Sequence, residues 1–471
     1  MRLFYTIALL ILVACGNNKA TYPKLIKTDG KQVSLVFKNI NFFDGEKKSI
    51  QIGRDVFIKE GRIEKILSGD KNRTYEGYEV INGRGRYLMP GLIDAHVHIQ
   101  NNGSPPWRPV KNNIEENLKA NLYCGVTTVM DLGGFASKSY KLNERVLKGE
   151  LVGPNIYHSH IPITVKNAHP IPAAQEMMPY PLNKLANNII PTAKDTADAI
   201  KVIQKYCKQK IDFVKIIYDE LPLGSAQMKY DILKSLIDQT HQQGYKAVVH
   251  IGSVSNAINA IRAGADILAH GVVRGKLTSK EASIIANSKV PVIYTLMGHQ
   301  LTADMLEGKF IPSSLDSIIM PQEILESVAG KAGKQIETFE AISKFANTCL
   351  TESKDWKHNV ELLIKHKATI LVGTDAGVAG AYAGAITLAE FKALSQHGID
   401  NISLLRNATY NTAKAFVEDP KFGAIKEGFE ADLLYLDKNP ISHIEAVFNP
   451  IMILSNGIKI DRINPKEPIK N

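Results

Sequence analysis

Between residues 33 and 87 apolar and polar positions alternate in short runs separated by turn signals such as Asp44-Gly45 and Glu60-Gly61, the pattern of antiparallel β structure. The same texture returns at residues 431–436, 451–454 and 458–460, the last two flanking Asn456-Gly457, a strong hairpin signal. Two β segments at opposite ends of the chain predict one small composite β-sandwich domain, residues 29–88 plus 425–465. Between them the period changes. Short apolar runs at 91–95, 125–131, 155–160, 213–218, 246–250, 266–270, 290–295 and 368–374 alternate with helical patterns, which predicts repeated βα units and a parallel sheet. Eight such units fit an α/β fold of the (β/α)8 TIM-barrel type over residues 89–424 better than an open sheet.

Two connections, 162–192 and 297–367, are too long for plain βα loops. The first is rich in Pro and Met, and the second turns helical from about Pro321 onward. Insertions longer than about 15 residues are usually functional. Each follows a strand, so both are expected to overhang the strands' C-terminal ends.

The first residues have another character. Arg2 precedes an apolar run at 3–14 and then Cys15, too short for a membrane span and suited to an export signal. Leu12-Val13-Ala14-Cys15 resembles the bacterial lipobox. The resemblance implies a signal peptide at 1–14, acylation of Cys15, a polar lipidated tether over 15–28, and a membrane-anchored lipoprotein of the cell envelope. A plain secretory signal with an incidental cysteine is the other reading. Composition is ordinary for a globular protein, 44% hydrophobic and 22% charged, which excludes wholesale disorder and a polytopic membrane protein. A net charge of +10 favours anionic surfaces or substrates. No Arg-rich tract, zinc finger or aromatic RNA-binding motif supports a nucleic-acid partner. Cys124, Cys207 and Cys349 lie in apolar helical patterns and read as packing residues.

In a TIM barrel the residues at the C-terminal ends of the strands line the site. Those ends carry His96 and His98, placed on one face by the period of two, then Lys215 on the fourth strand, His250, His270 and finally Asp375. Imidazoles and carboxylates together suit zinc or a similar first-row metal.

Here the sequence resembles the metal-dependent amidohydrolase superfamily, specifically its imidazolonepropionase-like and Xaa-Pro or Xaa-Arg dipeptidase-like branch. The resemblance rests on Met89-Pro90-Gly91-Leu92-Ile93-Asp94-Ala95-His96-Val97-His98, Asp212-Phe213-Val214-Lys215-Ile216, Ala269-His270-Gly271, Gly373-Thr374-Asp375 and Ala431-Asp432-Leu433. It implies two divalent metal ions, zinc by preference. His96, His98 and Asp375 would hold one and His250 and His270 the other, with Lys215 carbamylated by carbon dioxide and bridging both. A protonated lysine, with a reference pKa of about 10.4, has no lone pair to donate, whereas a carbamate is an anionic carboxylate analogue. The implied reaction is hydrolysis by a metal-activated hydroxide, with Asp375 as ligand and general base. His169 is expected at the substrate carbonyl or leaving group. Tyr218 and Arg274, following the fourth and sixth strands, are expected to bind a substrate carboxylate. His158, His160 and His299 read as structural. The expected function is cleavage of a C–N bond in a small substrate such as a dipeptide or N-acyl amino acid. A mononuclear deaminase or cyclic amidase of the same fold, or a non-catalytic binding lipoprotein, are the alternatives, and an oligomer is compatible with any of them.

Overall fold

The computed structural model describes residues 20–70, 72–105, 107–178, 180–329, 340–352 and 355–463. Its strands are β1 (Ile26–Lys27), β2 (Leu35–Phe43), β3 (Ile50–Lys59), β4 (Arg62–Ser68), β5 (Glu79–Asn82), β6 (Tyr87–Pro90), β7 (Leu92–Val97), β8 (Val126–Asp131), β9 (Asn155–His158), β10 (Val214–Ile217), β11 (Ala247–His250), β12 (Ile267–Ala269), β13 (Val292–Tyr294), β14 (Ile370–Val372), β15 (Leu433–Leu436), β16 (Met452–Ser455) and β17 (Ile458–Arg462).

Both ends of the chain meet in one hydrogen-bonded sheet, ordered β1-β17-β16-β15-β6-β2-β3-β4 with β5 beside β2. The join is β15 against β6, antiparallel from Leu433↔Pro90 to Leu436↔Tyr87. The hairpin between β16 and β17 turns at Asn456 and Gly457, both at positive φ, as a tight two-residue β turn requires. Leu35, Phe37, Ile40, Val56 and Ile58 from the first half pack with Leu433 and Leu454 from the second, so neither segment has an apolar core of its own. Residues 20–28, expected as tether, lie against the body. Ile26–Lys27 pairs with Arg462 and Asp461, and the Thr21 amide donates to Glu323.

The eight strands β7 to β14 are all parallel, in two runs, β7-β8-β9 and β10-β11-β12-β13-β14. Single parallel bridges, Val97↔Ala376 and Ile163↔Ile216, link the edges of the two runs. Every residue of β7, β8, β10, β11, β12, β13 and β14 is buried, which is why these strands read as continuous apolar runs. Within them the period of two sorts side chains into layers. Val214 and Ile216 join the cluster that includes Leu233, Leu236 and Ile237 of helix Tyr230–Gln242. Phe213 packs instead with Ile93, Met130, Val248, Ile267, Ile293 and Leu371, on the inner face that Lys215 shares by alternation.

The insertions hold helices Ile171–Met177, Ala186–Ile189, Gln322–Val328 and Glu340–Glu352, while helix Leu296–Leu306 starts straight after β13, well before the expected onset near Pro321. The two insertions touch. Glu176 accepts from the amides of Ala341 (2.6 Å) and Ile342 (3.1 Å). No described helix is long and apolar enough to cross a membrane.

Candidate metal centre

The site assembles where the parallel strands end. Asp94, fully buried in β7, accepts from the His96 amide (3.2 Å), the Thr374 amide (3.1 Å) and the Thr374 hydroxyl (2.6 Å), locking β7 to the turn after β14. Burial pushes its carboxyl up to about 7 against those hydrogen bonds. The clamp brings Asp375 to His96. The Asp375 Oδ1 lies 3.3 Å from His96 Nε2 and 3.0 Å from His98 Nε2. His270 completes the tightest donor cluster: one ligand atom each from His96, His270 and Asp375 lie within 4.8 Å of one another. The imidazoles continue around the rim, with ring centroids 4.5 Å apart for His96–His270, 4.2 Å for His270–His250 and 5.4 Å for His250–His169.

Backbone and neighbours hold this array in place. His270 and Asp375 sit at φ of 64° and 60°, a left-handed conformation that costs a non-glycine residue about 1–3 kcal/mol and turns each side chain off its strand. Gly271, beside His270, has no room for a Cβ because the Tyr294 ring fills that space, and Gly373 is closed in by Ile293 and His96. His98 Nδ1 pairs with the Gly133 carbonyl (3.2 Å) and His270 Nδ1 with the Thr295 hydroxyl (2.9 Å), which leaves Nε2 of each ring for another partner.

At His96, His270 and Lys215 the electrostatics favour lone pairs over protons. Burial, aided by Lys215, holds His96 well below the usual imidazole range, and burial with His250 does the same to His270. Burial also lowers His98, but the Asp375 carboxylate beside it reverses the sign and raises it. For Asp375 burial works upward and is outweighed by His98, His270 and His299, which hold its carboxyl well below the ordinary range. Lys215, 2% exposed, is brought down to about 7 by burial, with Asp375 opposing. No hydrogen bond reaches the Lys215 Nζ or either ring nitrogen of His96. Buried polar atoms left unmatched cost about 1–3 kcal/mol each, and these are nitrogen donors beside a carboxylate. That chemistry fits a divalent metal ion of the zinc type, which His96, His270 and Asp375 would hold, with His98 and His250 beside them on the same rim.

The remaining expected residues divide. His169 stands beside His250, its imidazole lowered to about 3 by burial and then by His250. Tyr218 does not face the rim. It falls on the outer layer with Val214 and Ile216, and its hydroxyl accepts from Asn259 (3.3 Å) of helix Val254–Ala263. The period of two explains this, because counting from Lys215 gives Ile217 the inner face and Tyr218 the outer. Arg274 reaches the site, but two of its donors are taken by Asp219, through Nη1 (3.2 Å) and Nη2. Cys15 lies outside the described residues. Two neighbours were absent from the sequence-based set. His299, read there as structural, has its ring 5.5 Å from His270, and Asp219 contacts His250. Asp219, His250, His270, Arg274, His299 and Thr348 line a cleft of about 360 Å³ beside the cluster. The strand-end reading that found Lys215 would have reached Asp219 if carried two residues past the end of β10. His158 and His160 serve the packing around Asp131 and the Ala136 amide.

The amidohydrolase family model matches residues 87–458. An adenine deaminase of Clostridium perfringens is 36% identical over 99 residues, which are 21% of this chain and 16% of that enzyme. A 5-methylthioadenosine/S-adenosylhomocysteine deaminase of Clostridium tetani is 23% identical over 92% of both chains. Among solved structures, a Xaa-Pro dipeptidase with bound methionine superposes at a TM-score of 0.73 with 19% identity, covering 91% of this chain and 100% of the other. A prolidase described as putative, from Bifidobacterium longum, gives 0.68 with 20% identity over 93% and 97%. With 79% of its length inside the family model, this chain belongs to the amidohydrolase family.

Proposed function

We propose that the protein hydrolyses an amide-type C–N bond in a small substrate, a dipeptide or N-acyl amino acid, at a binuclear centre in a closed eight-stranded barrel, and that Cys15 anchors it to a membrane after export. The observation that carries this reading is the convergence of nitrogen lone pairs without hydrogen-bond partners, at His96 and Lys215, on a carboxylate held ionised at Asp375. Bound divalent ions would lower the pKa of water into the neutral range and polarise the scissile carbonyl.

The chain's own residues supply the rest. Lys215, buried and near half-neutral at pH 7, can attack carbon dioxide through its free amine. The N–C bond forms as one C=O π pair of carbon dioxide moves onto oxygen, one N–H proton passes to solvent water, and the resulting carbamate is an anionic oxygen donor that could serve bound cations. Asp375, with its carboxylate 3.0 Å from His98, is placed to take a proton from water and pass it to the leaving nitrogen. His169, neutral by burial, can orient the substrate from the His250 side. The second insertion, tied to the first through Glu176, lends His299 and Thr348 to the wall of the cleft.

A second reading, a mononuclear deaminase, is favoured by one observation: among the described residues, His96, His270 and Asp375 form the one compact donor set. Metal analysis combined with the Asp375→Asn variant decides. Two ions per chain, and loss of turnover by several orders of magnitude in the variant with metal retained, is the expected result on dipeptides and N-acyl amino acids. One ion per chain with ammonia release from an aminated heterocycle would favour the deaminase.

A further inference from the structure

We propose that Asp219 is a positioning residue, which fixes His250 in the tautomer protonated at Nε2 so that its Nδ1 lone pair is the one presented to the metal centre, with Arg274 clamping the Asp219 side chain in place. This rests on reading His250 as a metal ligand. Asp219 follows β10 by two residues, and its side chain is 1% exposed. An unpaired carboxylate at that depth would be prohibitively costly. It makes two kinds of contact. Arg274 donates through Nη1 at 3.2 Å and through Nη2, and His250 Nε2 lies 3.4 Å from Oδ2.

The surroundings are built for this pair. A Cβ on Gly252 would fall 2.5 Å from both Arg274 Nη1 and Asp219 Oδ2, so the absence of a side chain there makes the space they occupy. The Gly252 carbonyl accepts from the amides of Val273 (3.0 Å) and Arg274 (2.9 Å), which ties the loop after β12 to the loop after β11. Asp219 thereby joins the ends of three successive strands at one carboxylate.

The consequence for His250 follows from its two nitrogens. A carboxylate at Nε2 is an acceptor and requires the proton there, and the neutral ring then carries its lone pair at Nδ1. His98 and His270 are arranged the opposite way, with Nδ1 engaged by Gly133 and by Thr295. The rim therefore holds histidines engaged at different nitrogens; the Gly133 carbonyl requires the proton of His98 at Nδ1, whereas the Thr295 hydroxyl can serve His270 as donor or acceptor. His250 is the one whose partner is charged.

Two measurements test this. In the metal-free parent at pH 8, nitrogen-detected NMR of histidine-labelled protein, assigned with His250→Gln, should show His250 protonated at Nε2. A resonance pattern with the proton at Nδ1 would overturn the proposal without any risk of misfolding. Chelator competition with zinc should then show Asp219→Asn binding about 10–100-fold more weakly than the parent, with Asp219→Glu recovering part of the loss. Affinity of the Asn variant within about threefold of the parent would also overturn it. A parent that binds no zinc would contradict the metal-centre reading itself, an outcome separable from either of these.

Discussion

A lysine on the inner face of a parallel strand pays a desolvation cost for its charge, and Lys215 meets that cost by losing basicity rather than by finding an ion pair. Under the proposed function, the same loss of basicity would favour the carbamate, since only the neutral amine can add to carbon dioxide. Lys215→Ala should therefore lower bound metal and abolish most turnover, and short carboxylic acids should restore part of both by supplying the bridging oxygens. Turnover equal to the parent in the unsupplemented variant would defeat the carbamate. At this scale the sequence was informative about inner-face residues, because strand parity and the strand-end position placed His96, His98 and Lys215 together before any coordinates. It was uninformative about pairings such as Asp219 with Arg274, whose partners are 55 positions apart and leave no periodic trace. Tyr218 is the instructive error. It follows the strand, as a substrate contact should, but its parity sends it to the helices.

The elements explain why the rim is rigid. Parallel strands buried on both faces show up as apolar runs, so all eight are visible in the chain, with boundaries within two residues of the observed ones, mostly on the long side, the first run alone ending two residues short. The ladders stop where the backbone turns left-handed or prepares to, at His270 directly after β12 and at Asp375 three residues after β14, and an apolar run does not record that turn. Their left-handed turns depend on the adjacent glycines being able to pack tightly. Gly271→Ala would drive a methyl group into the Tyr294 ring, a small-to-large change with a cost of about 1–3 kcal/mol. The variant should unfold at a lower denaturant midpoint than the parent, and an unchanged midpoint would show that the ring can move aside. The internal geometry of the insertions was not legible, since loop-like composition carries no period. The contact of Glu176 with the start of helix Glu340–Glu352 depends on two segments about 165 residues apart.

For the molecule as a whole, the sheet built from both termini means that the parallel-stranded body is closed by its own chain ends. The pairing of β15 with β6 was suggested by similar texture at the two ends, while the attachment of residues 20–28 through β1 and β17 was not, because a two-residue strand gives too little pattern to read. Ala20, five positions after the proposed anchor at Cys15, already packs against the core. Cys15→Ser should shift the protein from the membrane to the soluble fraction with its hydrolytic activity intact, and continued membrane association would count against acylation. The account stands on the claim that side chains from separate strand ends cage metal. It is tested most directly by anomalous diffraction at the zinc edge from crystals grown with zinc and bicarbonate. Two peaks within bonding distance of His96, His98, His250, His270 and Asp375, bridged by extra density on Lys215, are predicted. No peak at that rim, or zinc bound elsewhere with Lys215 unmodified, would contradict it.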